Sequence, residues 1–157
     1  MGIASLAASG MQAIETFSIR PVEEPKGDSR LFANGTDIGV VEGLVLEGQY
    51  RCGPGFLVVT SDDSPFEEGL HFYLFDRSLV RLDDVSLGRM YHAGIYRDVA
   101  VMPDRDVLEF TFFGGDRWRL SVAPEPTRSW LPRPFSAVTR SRAWAMPHQL
   151  DLRRIDR

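Results

Sequence analysis

The sequence is poor in cysteine and lysine and has no long apolar run, and these shortages exclude several classes of protein. Cys52 is the only cysteine among 157 residues, so the chain cannot close an internal disulfide of the kind that staples small secreted domains. No stretch approaches the ~20 consecutive apolar residues that a membrane-spanning helix needs. Residues 1–8 lack the basic start and apolar stretch of an export signal. We therefore expect a cytoplasmic protein that does not engage a membrane.

The bulk composition is that of an ordinary globular domain. Hydrophobic residues make up 43% of the chain and charged residues 25%, close to the usual values for soluble domains. A chain of this length can bury a substantial core without disulfides or metals. The sequence predicts a single domain over residues 1–157, with a β core at 15–122 and a tail rich in proline and arginine at 123–157.

Charge is distributed unevenly along the chain. Lys26 is the only lysine, and the other basic residues are arginines. Residues 125–157 carry seven arginines against three carboxylates, whereas residues 1–124 carry 11 basic and 19 acidic groups. An acidic body repels phosphate backbones, which argues against direct nucleic-acid binding, and it favours a basic protein partner.

Short runs of alternating or continuous apolar residues, separated by glycine, proline and acidic turns, predict β-strands along the central part of the chain. The first run ends at Pro21, and residues 23–37 have the composition of loop and turn. The strand-like runs are at 16–20, 40–46, 56–60, 70–75, 78–82 and 95–101.

The clearest element is a hairpin. Residues 107–113 and 117–122 flank Gly114-Gly115-Asp116, and apolar side chains repeat at every second position of both arms. This pattern predicts one buried face and one wet face. Phe113 is expected on the wet face, where it could contact a partner.

The two ends have a different character. Residues 1–14 show a weak helical spacing of apolar side chains and predict a short N-terminal helix. Five of the ten prolines lie between residues 124 and 147, so the tail is expected to be irregular and to pack on the sheet. The predicted fold class is mainly β, an antiparallel β-sandwich or half-open barrel of roughly six to nine strands.

No linear catalytic or metal-binding motif is present. Cys52, His71 and His92 are of the types found in thiol catalysis, but they are widely spaced, and Cys52 fits a small hydrophobe entering a turn. The three histidines, which include His148, are isolated from one another and from further ligands. We predict no catalytic residues, no metal and no cofactor, and hence a binding protein rather than an enzyme.

As a whole, this compact, acidic, cysteine-poor and motif-free chain resembles the small cytosolic immunity proteins that neutralise toxins delivered between bacteria. The resemblance is one of class and implies a protein-binding module that inhibits a cognate toxin by covering its active site. The partner would be basic, such as a nuclease. Loops and sheet rims most often supply such contacts, and the predicted contact residues are Asp62, Asp63, Glu67, Glu68, Asp83, Asp84 and Tyr91.

Two alternatives remain open. Aromatic residues are concentrated in the central strands, which is also typical of a small-molecule carrier or sensor with an aromatic-lined β cavity. Its polar anchors would be His71, Tyr73, Tyr91 and Arg97. The other alternative is an enzyme that uses some of the scattered carboxylates or histidines. Oligomeric state is not predicted.

Overall fold

The computed structural model describes residues 10–64, 68–88, 93–102, 104–128, 137–141 and 147–155. These residues form strands and connecting turns, with no helix among them. The strands are β1 (Gln12–Ala13), β2 (Phe17–Pro21), β3 (Asp28–Ala33), β4 (Thr36–Glu42), β5 (Val45–Arg51), β6 (Gly55–Ser61), β7 (Gly69–Asp76), β8 (Arg81–Gly88), β9 (Arg97–Val101), β10 (Val107–Thr111), β11 (Arg117–Thr127), β12 (Val138–Thr139) and β13 (His148–Arg154).

The strands of the described residues build three antiparallel sheets. The largest has the order β1-β5-β6-β7-β8-β12, the second β13-β11-β10-β9, and the third β2-β3-β4. None of the three closes into a barrel. The prediction of a mainly β, sandwich-like fold is confirmed, but the described residues form 13 strands, more than the six to nine expected.

The six-stranded sheet is the middle layer, because it is buried on both faces. Alternate side chains of β7 point to opposite faces, so Phe72 packs with Phe110 of the four-stranded sheet. Tyr73 and Phe75 pack on the other face with Leu31 of the three-stranded sheet. Two covered faces explain why β6 and β7 are almost continuously apolar in sequence rather than alternating. Each large apolar side chain that is fully buried contributes roughly 1.5–3 kcal/mol.

The predicted hairpin is formed by β10 and β11, with Phe110 opposite Trp118. Phe113 departs from the prediction, since it is only 8% exposed. Its backbone adopts a positive φ of 58°, which lets the ring lie against Phe112 and Trp118 with centroid distances of 4.7 and 6.3 Å. The turn conformation of Phe113 therefore places this ring in the core. The alternation of side chains along a strand does not predict such a turn.

The prediction of loop and turn over 23–37 is wrong for half of that segment. Asp28–Ala33 form β3, whose side chains at Ser29, Leu31 and Ala33 are buried. Only Asn34-Gly35 makes the tight turn into β4, with φ of 49° and 84°. The alternation of β3 was hidden because two of its three buried side chains, Ser29 and Ala33, are polar or small.

Both ends differ from expectation. The short N-terminal helix is not supported, because Gln12–Ala13 pair with β5, while residues 1–9 lie outside the described residues. The expected irregular tail contains two strands: β12 pairs with β8, and β13 pairs with β11 over most of its length. The tail thus runs along one edge of each of two sheets.

Candidate functional site

A row of polar side chains interrupts the apolar middle layer near the connection between β6 and β7. Thr60, His71 and Ser86 are cross-strand neighbours on three adjacent strands, paired Thr60 with His71 and His71 with Ser86. Side chains alternate along β7, so His71 shares a face with Tyr73, the face that the three-stranded sheet covers. The row therefore lies beside β4, the edge strand of that sheet.

His71 is the centre of this row. Its Nε2 lies 2.6 Å from Oδ1 of Asp62, and its Nδ1 lies 2.8 Å from Oγ of Ser86. Oε2 of Glu42 is also close, at 3.1 Å from Nδ1. The imidazole is 9% exposed, whereas the side chains of Asp62 and Glu42 are 35% and 61% exposed. A buried ring thus connects a hydroxyl to two carboxylates at the surface.

Five carboxylates surround the β6–β7 connection, and we call them the acidic rim: Glu42, Glu47, Asp62, Asp63 and Glu68. Glu47 accepts the Ser61 hydroxyl at 2.6 Å. Glu68 accepts the backbone N–H groups of Asp63 and Ser64 at 2.8 and 3.1 Å, so its carboxylate lies against the residues that follow β6. Partial burial nevertheless raises the pKa of the Glu68 carboxyl.

Among the residues that the structure describes, none of the five rim carboxylates pairs with an arginine. Across the described residues, arginines pair with carboxylates such as Asp37, Glu109, Asp116 and Asp151, but the only basic side chain found pairing with a rim carboxylate is His71. Negative charge at the rim is therefore not neutralised by a permanent cation within the part of the chain that the structure describes.

The predicted contact residues separate into three groups. Asp62, Asp63 and Glu68 lie together in the rim as expected. Asp83 and Asp84 do not lie on a loop or sheet rim: they belong to β8 and are only 2% and 9% exposed. Glu67 and Tyr91 lie outside the described residues.

Residues of the C-terminal part of the chain donate hydrogen bonds to Asp83 and Asp84. Oδ2 of Asp83 accepts the backbone N–H groups of Gln149 and Leu150, while Asp84 accepts both the N–H and the hydroxyl of Ser141. Acidic doublets are usually solvated, but here the returning tail covers the pair. The expectation that these two carboxylates contact a partner is corrected, because a partner cannot reach them without displacing the tail.

A polar cleft of about 250 Å³ opens beside the rim, between β4, β8 and the segment after β12. The Arg81 guanidinium lies 4.6 Å from the centre of the Tyr73 ring and donates to the Val40 carbonyl at 2.9 Å. The Tyr73 hydroxyl accepts the Glu42 N–H at 2.8 Å, and burial raises the pKa of Tyr73. The cleft is lined by Asp28, Val40, Val41, Glu42, Tyr73, Arg81, Asp84, Ser86, Thr139, Arg140 and Ser141.

The aromatic side chains that favoured a ligand cavity pack against one another instead. Phe110 contacts Phe72 and Tyr96 with centroid distances of 5.4 and 5.2 Å. The Tyr96 hydroxyl meets that of Tyr50 at 3.0 Å, and burial raises the pKa of both groups. Among the described aromatic residues, these rings fill a core.

The polar anchors predicted for a ligand are not all brought together. His71 and Tyr73 share a face of β7, but Arg97 lies on β9 of another sheet and donates to the Gly114 carbonyl at 2.9 Å. Tyr91, the fourth anchor, lies outside the described residues.

Cys52 behaves as a core residue. It is 4% exposed, and burial raises the pKa of its thiol to about 12, so thiolate is scarce at neutral pH. Within the described residues, histidine, cysteine and carboxylate side chains do not form a set that could hold a metal ion. Those residues also contain no helix with the length and apolar character of a membrane span.

The grouping of Glu42, His71 and Ser86 was not predicted from the sequence. Each is a polar residue directly next to apolar residues of its strand, and that contrast is the one signal the sequence offers. Knowing that the three meet requires the register of β7 with β8 and the position of β4 over the sheet. Comparison of the chain with protein-family models, with curated proteins and with solved structures found no match.

Proposed function

We propose that this protein is a protein-binding module that uses its acidic rim to bind a basic partner. The observation that supports the proposal is the absence of an arginine or lysine partner for the rim carboxylates within the described residues. A surface with uncompensated charge of one sign attracts a partner of the opposite sign, raises its association rate and helps to set its orientation.

The narrower form of the proposal is an immunity protein that acts in the cytoplasm. Such a protein inhibits a cognate toxin by covering its active site and needs no chemistry at the rim. The surface with which a nuclease holds its substrate is basic because it binds backbone phosphates, so it is the kind of surface that an acidic rim complements. The surplus of acidic residues over residues 1–124 supports the same choice of partner.

A capture experiment with a charge-matched control tests the proposal. Glu42→Gln and Asp63→Asn together remove two rim charges, and asparagine tolerates the positive φ of 57° at residue 63. The control, Asp98→Asn with Asp104→Asn, removes two exposed charges that lie next to arginines Arg97 and Arg105. Immobilised wild-type protein is mixed with lysate from its source cells, and the bound protein is identified by mass spectrometry and purified.

We expect the purified partner to be basic and to bind the rim variant at least about tenfold more weakly than the wild type. The control variant should bind with nearly wild-type affinity, and added salt should slow association of the wild type. Equal affinity of the wild type and the rim variant would remove the basis of the proposal. If the partner is a nuclease, its inhibition by the two variants should follow the same order.

A further inference from the structure

We propose that Ser86, His71 and Asp62 form a nucleophilic triad that hydrolyses small esters in the cleft beside the acidic rim. This activity goes beyond partner binding and does not depend on it. It is the chemical alternative that the sequence left open without a motif to support it.

The three groups have the relations that nucleophilic catalysis requires. A nucleophile and a base must lie within hydrogen-bonding distance, and a third group must orient the base. The Ser86 hydroxyl is 2.8 Å from Nδ1 of His71, and the opposite nitrogen is 2.6 Å from Asp62. Neighbouring strands hold Ser86 and His71 directly opposite each other, so the geometry is set by sheet register rather than by a mobile loop.

The two ring nitrogens have exchanged the roles that they take in the Ser-His-Asp proteases. There the serine contacts Nε2 and the aspartate contacts Nδ1. Either nitrogen of an imidazole can accept a proton while the other donates, so the exchange leaves the chemistry intact. What the triad needs is a proton on Nε2 directed at Asp62 and a free lone pair on Nδ1 directed at Ser86.

Glu42 adds a second carboxylate next to the base. Its Oε2 lies 3.1 Å from Nδ1, the nitrogen that gains positive character when it accepts the serine proton. The imidazolium that forms is then held between Glu42 and Asp62. Carboxylates placed where positive charge develops stabilise that charge in the transition state.

The cleft gives the nucleophile access to a substrate. Ser86 lines it, together with the apolar side chains of Val40 and Val41 and the guanidinium of Arg81. Its volume of about 250 Å³ is below the ~300–1,000 Å³ usual for drug-sized ligands, so a small ester is the substrate that it fits. Arg81, which lines the same cleft, is the positive charge available to the oxyanion that forms on the carbonyl oxygen.

The reaction proceeds in two balanced steps. Oγ of Ser86 forms a bond to the ester carbonyl carbon, its proton passes to Nδ1 of His71, and the bond to the alcohol oxygen breaks as that oxygen takes the proton. Water then attacks the acyl-serine, gives a proton to Nδ1, and releases the carboxylic acid as Ser86 regains its proton. Water is the only co-reactant.

Covalent labelling tests the triad directly. The wild-type protein is incubated with an alkyl fluorophosphonate, which phosphonylates activated serines, and the adduct is counted by intact mass and located by peptide mapping. The variants are Ser86→Ala, Asp62→Asn and Ser141→Ala, the last removing another hydroxyl that lines the same cleft. Thermal unfolding confirms that each variant is folded, and hydrolysis of p-nitrophenyl acetate gives a second readout.

We expect one adduct, located on Ser86, absent from Ser86→Ala and retained by Ser141→Ala. Asp62→Asn should label at least about tenfold more slowly, and its pH profile of labelling should move because the charge facing the imidazole has been removed. An unlabelled but folded wild-type protein, an adduct on Ser141, or an Asp62→Asn variant with the wild-type rate and pH profile would overturn the proposal. Labelling requires no partner, so these results are independent of the test of the rim.

Discussion

Asp83 accepts the backbone N–H of Leu150 through Oδ2 at 2.9 Å, and the same oxygen accepts the N–H of Gln149 at 2.9 Å. Arg140 pairs with this oxygen at 3.4 Å and donates to the Leu150 carbonyl at 2.6 Å. The side chains of Asp83 and Arg140 are only 1% and 5% exposed. One buried carboxylate on β8 thus fastens the start of β13 to the middle layer.

Removal of this carboxylate should destabilise the whole fold. Asp83→Ala removes the carboxylate that pairs with the buried Arg140, and it leaves three backbone N–H groups, those of Asp84, Gln149 and Leu150, without this acceptor, a loss of about 3–5 kcal/mol. Urea titration, monitored by tryptophan fluorescence, measures this loss of unfolding free energy. Asp151→Ala is the matched control, because its pair with Arg153 is about half exposed and should contribute less than about 1 kcal/mol. Similar losses in the two variants would contradict the role given to Asp83.

Gly55 lies at the entry into β6, against the backbone of β7. A Cβ on Gly55 would lie 2.6 Å from the Asp76 carbonyl carbon of β7 and closer still to the Phe75 carbonyl oxygen. These are backbone atoms that cannot rotate away, so Gly55→Ala should cost about 1–3 kcal/mol or more of unfolding free energy. Gly88→Ala introduces the same methyl group into open space and should change stability by less than about 1 kcal/mol. Thermal unfolding of the two variants measures the difference in their stability. A Gly55→Ala variant as stable as the wild type would contradict the prediction.

Stability should decrease in alkali because of Cys52. Its thiol pKa is raised from 9.0 to about 12 in the folded protein, so below pH 9.0 the thiol is protonated in both states and stability is unaffected. Above pH 9.0 the unfolded thiol ionises first, which favours unfolding by up to about 1.4 kcal/mol per pH unit until the folded thiol also ionises.

The measurement is the free energy of unfolding in urea from pH 9.0 upward, for the wild type and for Cys52→Ala. Tyr50 and Tyr96, whose raised pKa values act in the same direction, are common to both proteins. The difference between the two proteins should therefore change with pH in the sense that the wild type loses more. A constant difference would show that the buried thiol does not govern this pH range.

Sequence patterns predicted the parts of the fold that depend on local alternation. The hairpin of β10 and β11 is the clearest example, since Phe110 and Trp118 alternate with polar residues and glycines mark the bend. Alternation failed where the buried side chains were small or polar, as at Ser29 and Ala33 in β3. For β13 the preceding prolines indicated an irregular tail, although Leu150 and Leu152 alternate with polar residues.

The site was predicted only in part, for a related reason. Asp62, Asp63 and Glu68 lie in a polar segment between two apolar strands, so their surface position could be inferred locally. Asp83 and Asp84 form a similar doublet, but residues more than 50 positions later cover them. No local pattern distinguishes a solvated carboxylate from one that a distant segment will bury.

The sequence by itself determined that this chain forms antiparallel sheet with an acidic surface and a buried cysteine, because strand propensity, alternation and charge are properties of residues and their neighbours. Only the tertiary structure decided that one sheet is covered on both faces, that the tail returns to Asp83, and that His71 lies between Ser86, Asp62 and Glu42. These relations depend on strand register and layer order. Both are set by packing between segments far apart in the chain, where short-range patterns carry no information.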